Sequence, residues 1–238
     1  MILAHMARRR RCVLPGVACH ITQRGVDRRE TFSDDGDRRT YLRLLQKNLV
    51  ESETRLLAWC LMTNHVHFIA VPERPDSLSV LLRRVHGRYA QYYNVRAART
   101  GHLWQNRFFA CVLEASHLWT ALAYVERHPV RAAMVRAAED DPWSSAAAHL
   151  TGDDPGGLLD MGWWRREAPP HWREVLNGSP LQADQEAELR ACTYAGRPYG
   201  SKIFLSEMST RFGRQWDRPQ QTSSKPEDAP PENQLSLF

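Results

Sequence analysis

The sequence lacks the features of several protein classes. No hydrophobic run approaches the roughly 18 residues that a membrane span needs, so we expect no membrane-spanning segment. The five cysteines are widely spaced and form no Cys-X-X-Cys pair, which argues against both a disulfide framework and a thiolate zinc site. The first arginines follow the few apolar residues of the N-terminus, the reverse of a secretory signal. These absences together predict a cytoplasmic protein.

Lysine is also scarce, and the positive charge comes mainly from arginine. The 238-residue chain carries a net charge of +5. A guanidinium group suits bidentate contacts with phosphate, so the composition is compatible with a nucleic-acid partner. The run Arg8–Arg11 is either a phosphate-binding arm or a solvated terminus, and the sequence leaves both open.

Hydrophobic spacing predicts the order β-α-β-β-α-β-α in the first 150 residues. Short apolar and β-branched runs predict strands, whereas apolar residues three and four apart predict amphipathic helices. The strands are predicted within residues 17–23, 56–71 and 102–113, and the helices within residues 37–51, 76–100 and 116–128. This order favours the α+β class, with an antiparallel sheet and helices packed on one face.

The rest of the chain divides by composition. A Thr-Gly-Asp-Asp-Pro-Gly-Gly run after Leu150 predicts the end of a main domain that covers residues 1–150. We interpret residues 151–188 as a linker region and residues 189–216 as a small helical extension. Residues 217–238 are rich in Pro, Ser and Glu, which predicts a disordered tail.

Two histidines stand one residue apart on a predicted strand. The side chains of His65 and His67 leave the same face, with Cα atoms about 6.6 Å apart at the usual strand rise. Two imidazoles so placed can share a metal ion. The alternative is a hydrogen-bonded pair on a half-exposed strand, and the sequence has no His-Glu-X-X-His pattern to decide between them.

A tyrosine and a further histidine lie on the last helix predicted for this domain. Tyr124 and His128 are four residues apart, so both side chains share one helix face. They can therefore face the histidine pair together, as a phenol and a third ligand. The alternative for Tyr124 is a core tyrosine with its hydroxyl at the rim.

At this point the chain resembles the single-tyrosine HUH transposases, specifically the REP-associated tyrosine transposases of bacteria. The resemblance rests on four blocks in the order and spacing of that family, and it covers roughly residues 7–150. The blocks are Ile21–Gly25, Thr63–His67, Gly101–Phe108 and Tyr124–Arg131. The resemblance implies a ferredoxin-like sheet and cleavage of single-stranded hairpin DNA with a tyrosine and a divalent metal, Mg²⁺ or Mn²⁺.

The resemblance also implies roles for particular residues. His65 and His67 match the metal-binding pair, and Tyr124 matches the nucleophile. His128, which we expect to be the third ligand, stands where the family usually has Asn before Pro-Val-Arg. The implied reaction is attack of Tyr124 on phosphorus, which leaves a 5′-phosphotyrosine and a free 3′-hydroxyl.

Two other functions remain open at this stage. One is a domesticated regulator that binds palindromic repeats without cutting them. The other is a metal-dependent hydrolase of small phosphoesters, which would use water rather than Tyr124.

Six side chains are expected to contact DNA, because arginine holds phosphates and aromatic faces stack on unpaired bases. They are Arg24, Trp104, Gln105, Arg107, Arg127 and Arg131. A plain strand role is an equal alternative for Trp104. The extension at 189–216 is expected to support DNA binding, with a helix docked on the main domain as the alternative.

The last five residues form an apolar end on a polar segment. Gln234, Leu235, Ser236, Leu237 and Phe238 resemble the peptide by which bacterial polymerases and repair proteins bind the sliding clamp. Leu235, Leu237 and Phe238 would fill an apolar pocket, while Gln234 forms a hydrogen bond at its rim. Chance is the alternative for so short a match. Nucleoid association and a homodimer complete the expectations for partners.

Overall fold

A computed structural model describes residues 11–178 and 183–216 of the chain. The strands are β1 (Cys19–Arg24), β2 (Thr54–Leu61), β3 (His65–Pro72) and β4 (Phe109–Val112). The α-helices are α1 (Asp35–Leu49), α2 (Ser77–Arg96), α3 (Leu118–Glu126), α4 (His128–Arg131), α5 (Ala146–Thr151), α6 (Met161–Glu167), α7 (Trp172–Asn177), α8 (Ala183–Ala195) and α9 (Lys202–Phe212). The predicted β-α-β-β-α-β-α order is confirmed.

The four strands form one antiparallel sheet in the order β2-β3-β1-β4. The β2–β3 hairpin turns through residues 62–64, as the polar notch in the sequence predicts. In the register, Thr22 of β1 and Cys60 of β2 both pair with His67 of β3. The α+β class with a ferredoxin-like antiparallel sheet is confirmed.

One face of the sheet is covered by α1 and α2. Tyr41 and Leu45 of α1 and Val85 and Tyr89 of α2 are buried against Phe68 of β3. Helix α1 begins cleanly because the side chain of its N-cap, Asp34, accepts a hydrogen bond from a backbone N–H of the first turn. The apolar spacing in the sequence predicts that these two helices pack on a single face of the sheet.

The opposite face is covered as well, by α3 and by helices that follow it. Leu122 and Val125 of α3 pack into a second core with Ile69 and Val71 of β3. The expectation of helices on one face therefore describes only α1 and α2. The reason lies in β3, where seven of eight residues are buried, because a strand with apolar residues on both sides needs cover on both.

The segment 151–188, interpreted from sequence as a linker region, contains α6 and α7. Their indoles Trp164 and Trp172 are buried in the second core. Trp172 Nε1 donates a 2.9 Å hydrogen bond to Glu126 at the end of α3. Ser145 Oγ and His149 Nδ1, at the start and on the inner side of α5, also contact this carboxylate, at 2.5 and 2.6 Å. Buried Glu126 thus ties the later helices to the helix that carries Tyr124.

Several expectations fall outside the described residues. They are the arginines of the N-terminal run up to position 10, the tail from position 217 onward and its last five residues. Arg11 is described: its guanidinium lies 3.6 Å from the ring centroid of Phe108, and its Nε donates to the Phe108 carbonyl. None of the helices in the described ranges is long and apolar enough to cross a membrane.

Candidate functional site

The turn between β2 and β3 orients the first histidine of the pair. Asn64 Nδ2 donates a 3.0 Å hydrogen bond to the carbonyl of Arg28, so its Oδ1 faces His65. His65 Nδ1 lies 2.6 Å from that oxygen and must be the donor. The neutral His65 ring therefore carries its proton on Nδ1, and Nε2 presents a lone pair.

Tyr124 and His128 keep their shared face although the helix is interrupted between them. Helix α3 ends at Glu126, but Arg127 stays in the right-handed region and α4 begins at His128. Pro129 is tolerated there because the first turn of a helix leaves its N–H groups unpaired in any case. The ring centroids of Tyr124 and His128 are 5.7 Å apart. The spacing of four residues thus holds across the break.

The three predicted ligands converge. One nitrogen from each of His65, His67 and His128 lies within 4.8 Å of the other two. Metal–imidazole bonds near 2.1 Å place ligand nitrogens about 3 to 4 Å apart, so the observed spacing is close to that around a bound ion. By donor type and spacing, the three residues fit a divalent metal.

Burial keeps these rings in the form that binds metals. Loss of solvation, with a smaller effect of Arg24, lowers the pKa of His65 to about 3. Burial also lowers the pKa of His67 and His128 well below the ordinary histidine value. All three are therefore neutral at physiological pH, and a neutral imidazole is the required ligand.

Arg131 connects the nucleophile candidate with the third ligand. Its guanidinium carbon lies 4.1 Å from the ring centroid of Tyr124, while Nη1 lies 2.6 Å from Glu186 and Nη2 lies 2.8 Å from His128 Nδ1. Because a guanidinium only donates, His128 Nδ1 accepts and the proton of the neutral ring is on Nε2. That atom is 3.1 Å from His65 Nε2. His128 therefore gives His65 a hydrogen bond here, and metal ligation by Nε2 requires this proton to leave or move.

A fourth histidine belongs to the site although the sequence analysis missed it. The ring of His20 stacks on that of His67 with centroids 5.2 Å apart, and its Nε2 lies 3.0 Å from His67 Nδ1. Burial lowers the pKa of His20 to about 3. The available signal was the period of two along β1, which puts His20 on the same face as Thr22 and Arg24.

Helix α8 closes the site from the C-terminal extension. Thr193 Oγ1 lies 2.7 Å from His20 Nδ1, and Arg190 and Tyr194 lie beside it. The cavity beneath has a volume of about 180 Å³ and is lined by His20, Thr22, Arg24, His65, His67, Tyr124, His128, Arg131, Arg190, Thr193 and Tyr194. Three of these are arginines, so the cavity attracts an anion such as a phosphate.

Two of the six expected DNA contacts, Arg24 and Arg131, line this cavity. Gln105 and Arg107 are exposed on the loop before β4, outside it. Trp104 instead packs against His86, with ring centroids 4.5 Å apart, and its Nε1 donates to the His86 carbonyl. Trp104 thus has a packing role, since its polar atom is already bound within the core.

Arg127 also does not line the cavity. It is buried, and its guanidinium donates to the carbonyls of Val175 and Gly178 at 3.5 and 3.2 Å. Carbonyls at the end of a helix lack partners within it, and a cation there is favourable. Arg127 therefore caps α7, and its contact with DNA stays a prediction from the sequence.

Parts of the chain are similar to known proteins in sequence and fold. Residues 14–128 match the family of IS200-like transposases. The fold is similar to that of a REP-associated tyrosine transposase bound to a REP hairpin, with 20% identity and a TM-score of 0.53 over 66% of this chain and 91% of that chain. A candidate transposase from Deinococcus radiodurans matches with 16% identity and a TM-score of 0.36, over 50% of this chain and 96% of that chain. No curated protein matches the sequence significantly.

Proposed function

We propose that this chain, whose residues 14–128 match the family of IS200-like transposases, cuts and joins single-stranded DNA through Tyr124. The family match supports a DNA-binding transposase function. The further step, that a tyrosine performs the cut, rests on one observation. Tyr124 lines the same cavity as three imidazoles that can hold a metal and three arginines that can hold a phosphate.

The reaction balances without a nucleotide cofactor. The Tyr124 hydroxyl oxygen forms a bond to phosphorus, the bond from phosphorus to the 3′-oxygen breaks, and that oxygen takes up a proton. The products are a 5′-phosphotyrosine and a free 3′-hydroxyl, and attack by a 3′-hydroxyl reverses the step to join strands. Arg131 sits over the phenol ring, where it stabilises negative charge on an incoming phosphate.

His65, His67 and His128 would hold the divalent cation. When bound, a cation such as Mg²⁺ or Mn²⁺ polarises a phosphate oxygen and orients the scissile bond. An all-imidazole set favours Mn²⁺ over Mg²⁺, because Mg²⁺ prefers oxygen ligands. His128 in place of Asn therefore predicts higher activity with Mn²⁺.

The DNA substrate proposed is a hairpin from palindromic repeats. The solved transposase of similar fold is bound to such a REP hairpin. In this chain the exposed side chains Gln105 and Arg107 lie near the end of β1, where Gln105 N bonds to the carbonyl of Arg24. A single strand that enters the cavity at Arg24 would therefore pass these two residues, which suit contacts with base and phosphate.

A covalent adduct tests the nucleophile. Labelled single-stranded hairpin DNA from the repeats beside the gene is incubated with Mn²⁺ and protein, and adducts are resolved on denaturing gels. Wild type and Tyr194→Phe should form the adduct, and Tyr124→Phe should not. Tyr194 is the matched control because it is the other tyrosine that lines the cavity. An adduct that persists in Tyr124→Phe and disappears in Tyr194→Phe would contradict the proposal.

A non-catalytic regulator of palindromic repeats is the second candidate. The observation in its favour is the burial of Tyr124, which is only 3% exposed beside the salt bridge between Arg131 and Glu186. A regulator would bind the hairpin with the same affinity in wild type and Tyr124→Phe and would form no adduct in either. The gel assay therefore separates the two functions.

Residues 234–238 extend the proposal to a protein partner. We propose that this peptide binds the bacterial sliding clamp and holds the transposase near replicating DNA at the nucleoid. The peptide lies outside the described residues, so its sequence is the support. A homodimer stays a prediction from sequence, to be measured by light scattering.

A further inference from the structure

We propose that Thr193 and His20 are positioning residues that hold His67 in the tautomer able to bind a metal. The proposal rests on the metal site of the proposed function and adds a part of the chain beyond the family match, which ends at residue 128. It makes α8 of the C-terminal extension a component of that site.

The direction of each hydrogen bond follows from a backbone carbonyl. Thr193 Oγ1 lies 2.7 Å from the carbonyl oxygen of Leu189, which can only accept, so the hydroxyl proton is used there. Toward His20 Nδ1, also 2.7 Å away, Thr193 is left with lone pairs and must accept. The proton of His20 is therefore on Nδ1.

The same reasoning passes through the two rings. With its proton on Nδ1, the neutral His20 ring has a lone pair on Nε2, which lies 3.0 Å from His67 Nδ1. His67 must donate across that contact, so it carries its proton on Nδ1 as well. His67 Nε2 is then unprotonated and remains available as the ligand atom.

Burial prevents water from replacing any link of this chain. His20 and Thr193 are each 1% exposed, and His67 is 4% exposed. The second lone pair of Thr193 faces Cys111 Sγ at 3.2 Å. Burial raises the pKa of Cys111 to about 12, so this thiol is protonated and can donate. Each polar group of Thr193 has one use, and reversing the chain would set the lone pair of His20 Nδ1 against a lone pair of Thr193.

The hydroxyl that begins the chain is remote in sequence. Thr193 is 173 residues beyond His20, which is itself 47 residues before His67. Helix α8 brings it into place over β1. Partners of this kind fix the orientation of metal-binding histidines, and their removal typically weakens metal binding by about 10- to 100-fold.

The test uses the full-length protein with single substitutions of Thr193. Thr193→Val removes the hydroxyl and keeps the shape, whereas Thr193→Ser restores the hydroxyl. Thr210→Val is the matched control, because Thr210 on α9 makes the same bond to a carbonyl four residues earlier but is exposed and does not line the cavity. Mn²⁺ affinity is measured by calorimetry, and the tautomers of His20 and His67 are read from long-range ¹⁵N–¹H spectra of the metal-free protein.

We expect the Mn²⁺ dissociation constant to rise about 10- to 100-fold in Thr193→Val and to stay near wild type in Thr193→Ser and Thr210→Val. In wild type, both rings should carry the proton on Nδ1, and His67 should lose this preference in Thr193→Val. An Nε2 proton on His67 in wild type would overturn the proposal, even if Thr193→Val failed to fold. So would a Thr193→Val protein with unchanged affinity and tautomer.

Failure of the proposed function gives a different result. A wild-type protein that binds no Mn²⁺ would refute the metal site, yet the spectra still report the tautomer of His67. In that case, a His67 proton that sits on Nδ1 in wild type and loses this preference in Thr193→Val supports the positioning role. A proton that stays on Nδ1 in Thr193→Val overturns it.

Discussion

Replacing Glu126 by glutamine is expected to destabilise the protein strongly, because this buried carboxylate joins three helices. Oε1 accepts hydrogen bonds from Ser145 at 2.5 Å and from His149 at 2.6 Å, and Oε2 accepts one from Trp172 at 2.9 Å. Glutamine has the same shape but a single acceptor oxygen. If that oxygen keeps the bonds to Ser145 and His149, the new NH₂ group faces the indole N–H of Trp172.

The size of the effect follows from these contacts. One buried donor loses its acceptor, which costs about 1–3 kcal/mol. The two bonds that remain are no longer assisted by charge, which removes roughly 1 kcal/mol from each. These contributions sum to about 3–5 kcal/mol. Urea unfolding followed by circular dichroism should show a loss of unfolding free energy in this range.

A double substitution sharpens this test. Trp172→Phe removes the indole N–H, so it should cost less in the Glu126→Gln background than in wild type, with a coupling of at least about 1 kcal/mol. Trp163→Phe is the control, because Trp163 of α6 stacks on Trp119 and lies on the partly exposed side of the same cluster. A loss below about 1 kcal/mol for Glu126→Gln, or strict additivity with Trp172→Phe, would refute the reasoning.

Three further predictions concern pH, the third ligand and the C-terminus. Burial lowers the pKa of His20, His65 and His86 to about 3, so these rings take up protons on unfolding below about pH 6.5. Stability should fall as the pH drops from about 6.5 toward 3, by up to about 1.4 kcal/mol per pH unit for each ring, and a urea midpoint independent of pH in this window would contradict it. His128→Asn should weaken Mn²⁺ binding but keep adduct formation, since the carboxamide oxygen can ligate, whereas His128→Ala should lose both; full activity of His128→Ala would mean that the third ligand comes from elsewhere. A labelled peptide of residues 225–238 should bind purified sliding clamp in the micromolar range and lose binding when Leu237 and Phe238 are both alanine; no saturable signal below about 1 mM would reject this contact.

Local patterns in the sequence were sufficient for the sheet and for the Tyr124 side of the site. A period of two placed His65 and His67 on one face of β3, and a period of four placed Tyr124 and His128 on one face of a helix. Both patterns act over a few residues, where backbone geometry alone decides which side chains are neighbours. The break between α3 and α4 did not disturb this, since Arg127 keeps right-handed dihedral angles.

The parts of the site that sequence reasoning missed depend on contacts between distant segments. His20 joins the cluster because β1 pairs with β3, and Thr193 joins it because α8 packs over β1. No short spacing encodes either contact. The same limit explains Arg127, which is adjacent to the site in sequence yet binds the end of α7.

The composition of residues 151–188 predicted less secondary structure than this segment has. Their Gly, Pro and Asp residues are typical of a loop, and residues 152–157 and 169–170 do lie in connections between short helices. The tryptophans between them indicate that the segment is packed, because Trp164 and Trp172 fill the second core beneath α3. The apolar character of β3 on both faces was the signal that such a core exists.

The identity of the DNA-linked residue tests the central claim most directly. After the Mn²⁺ reaction with hairpin DNA, the adduct is digested with nuclease and trypsin, and the nucleotide-bearing peptide is identified by mass spectrometry. Cleavage after Arg107 and Arg127 gives peptide 108–127, in which Tyr124 is the single tyrosine. We expect a nucleotide 5′-phosphate on this peptide at Tyr124, and a nucleotide on Tyr194 of peptide 191–202 would contradict the claim.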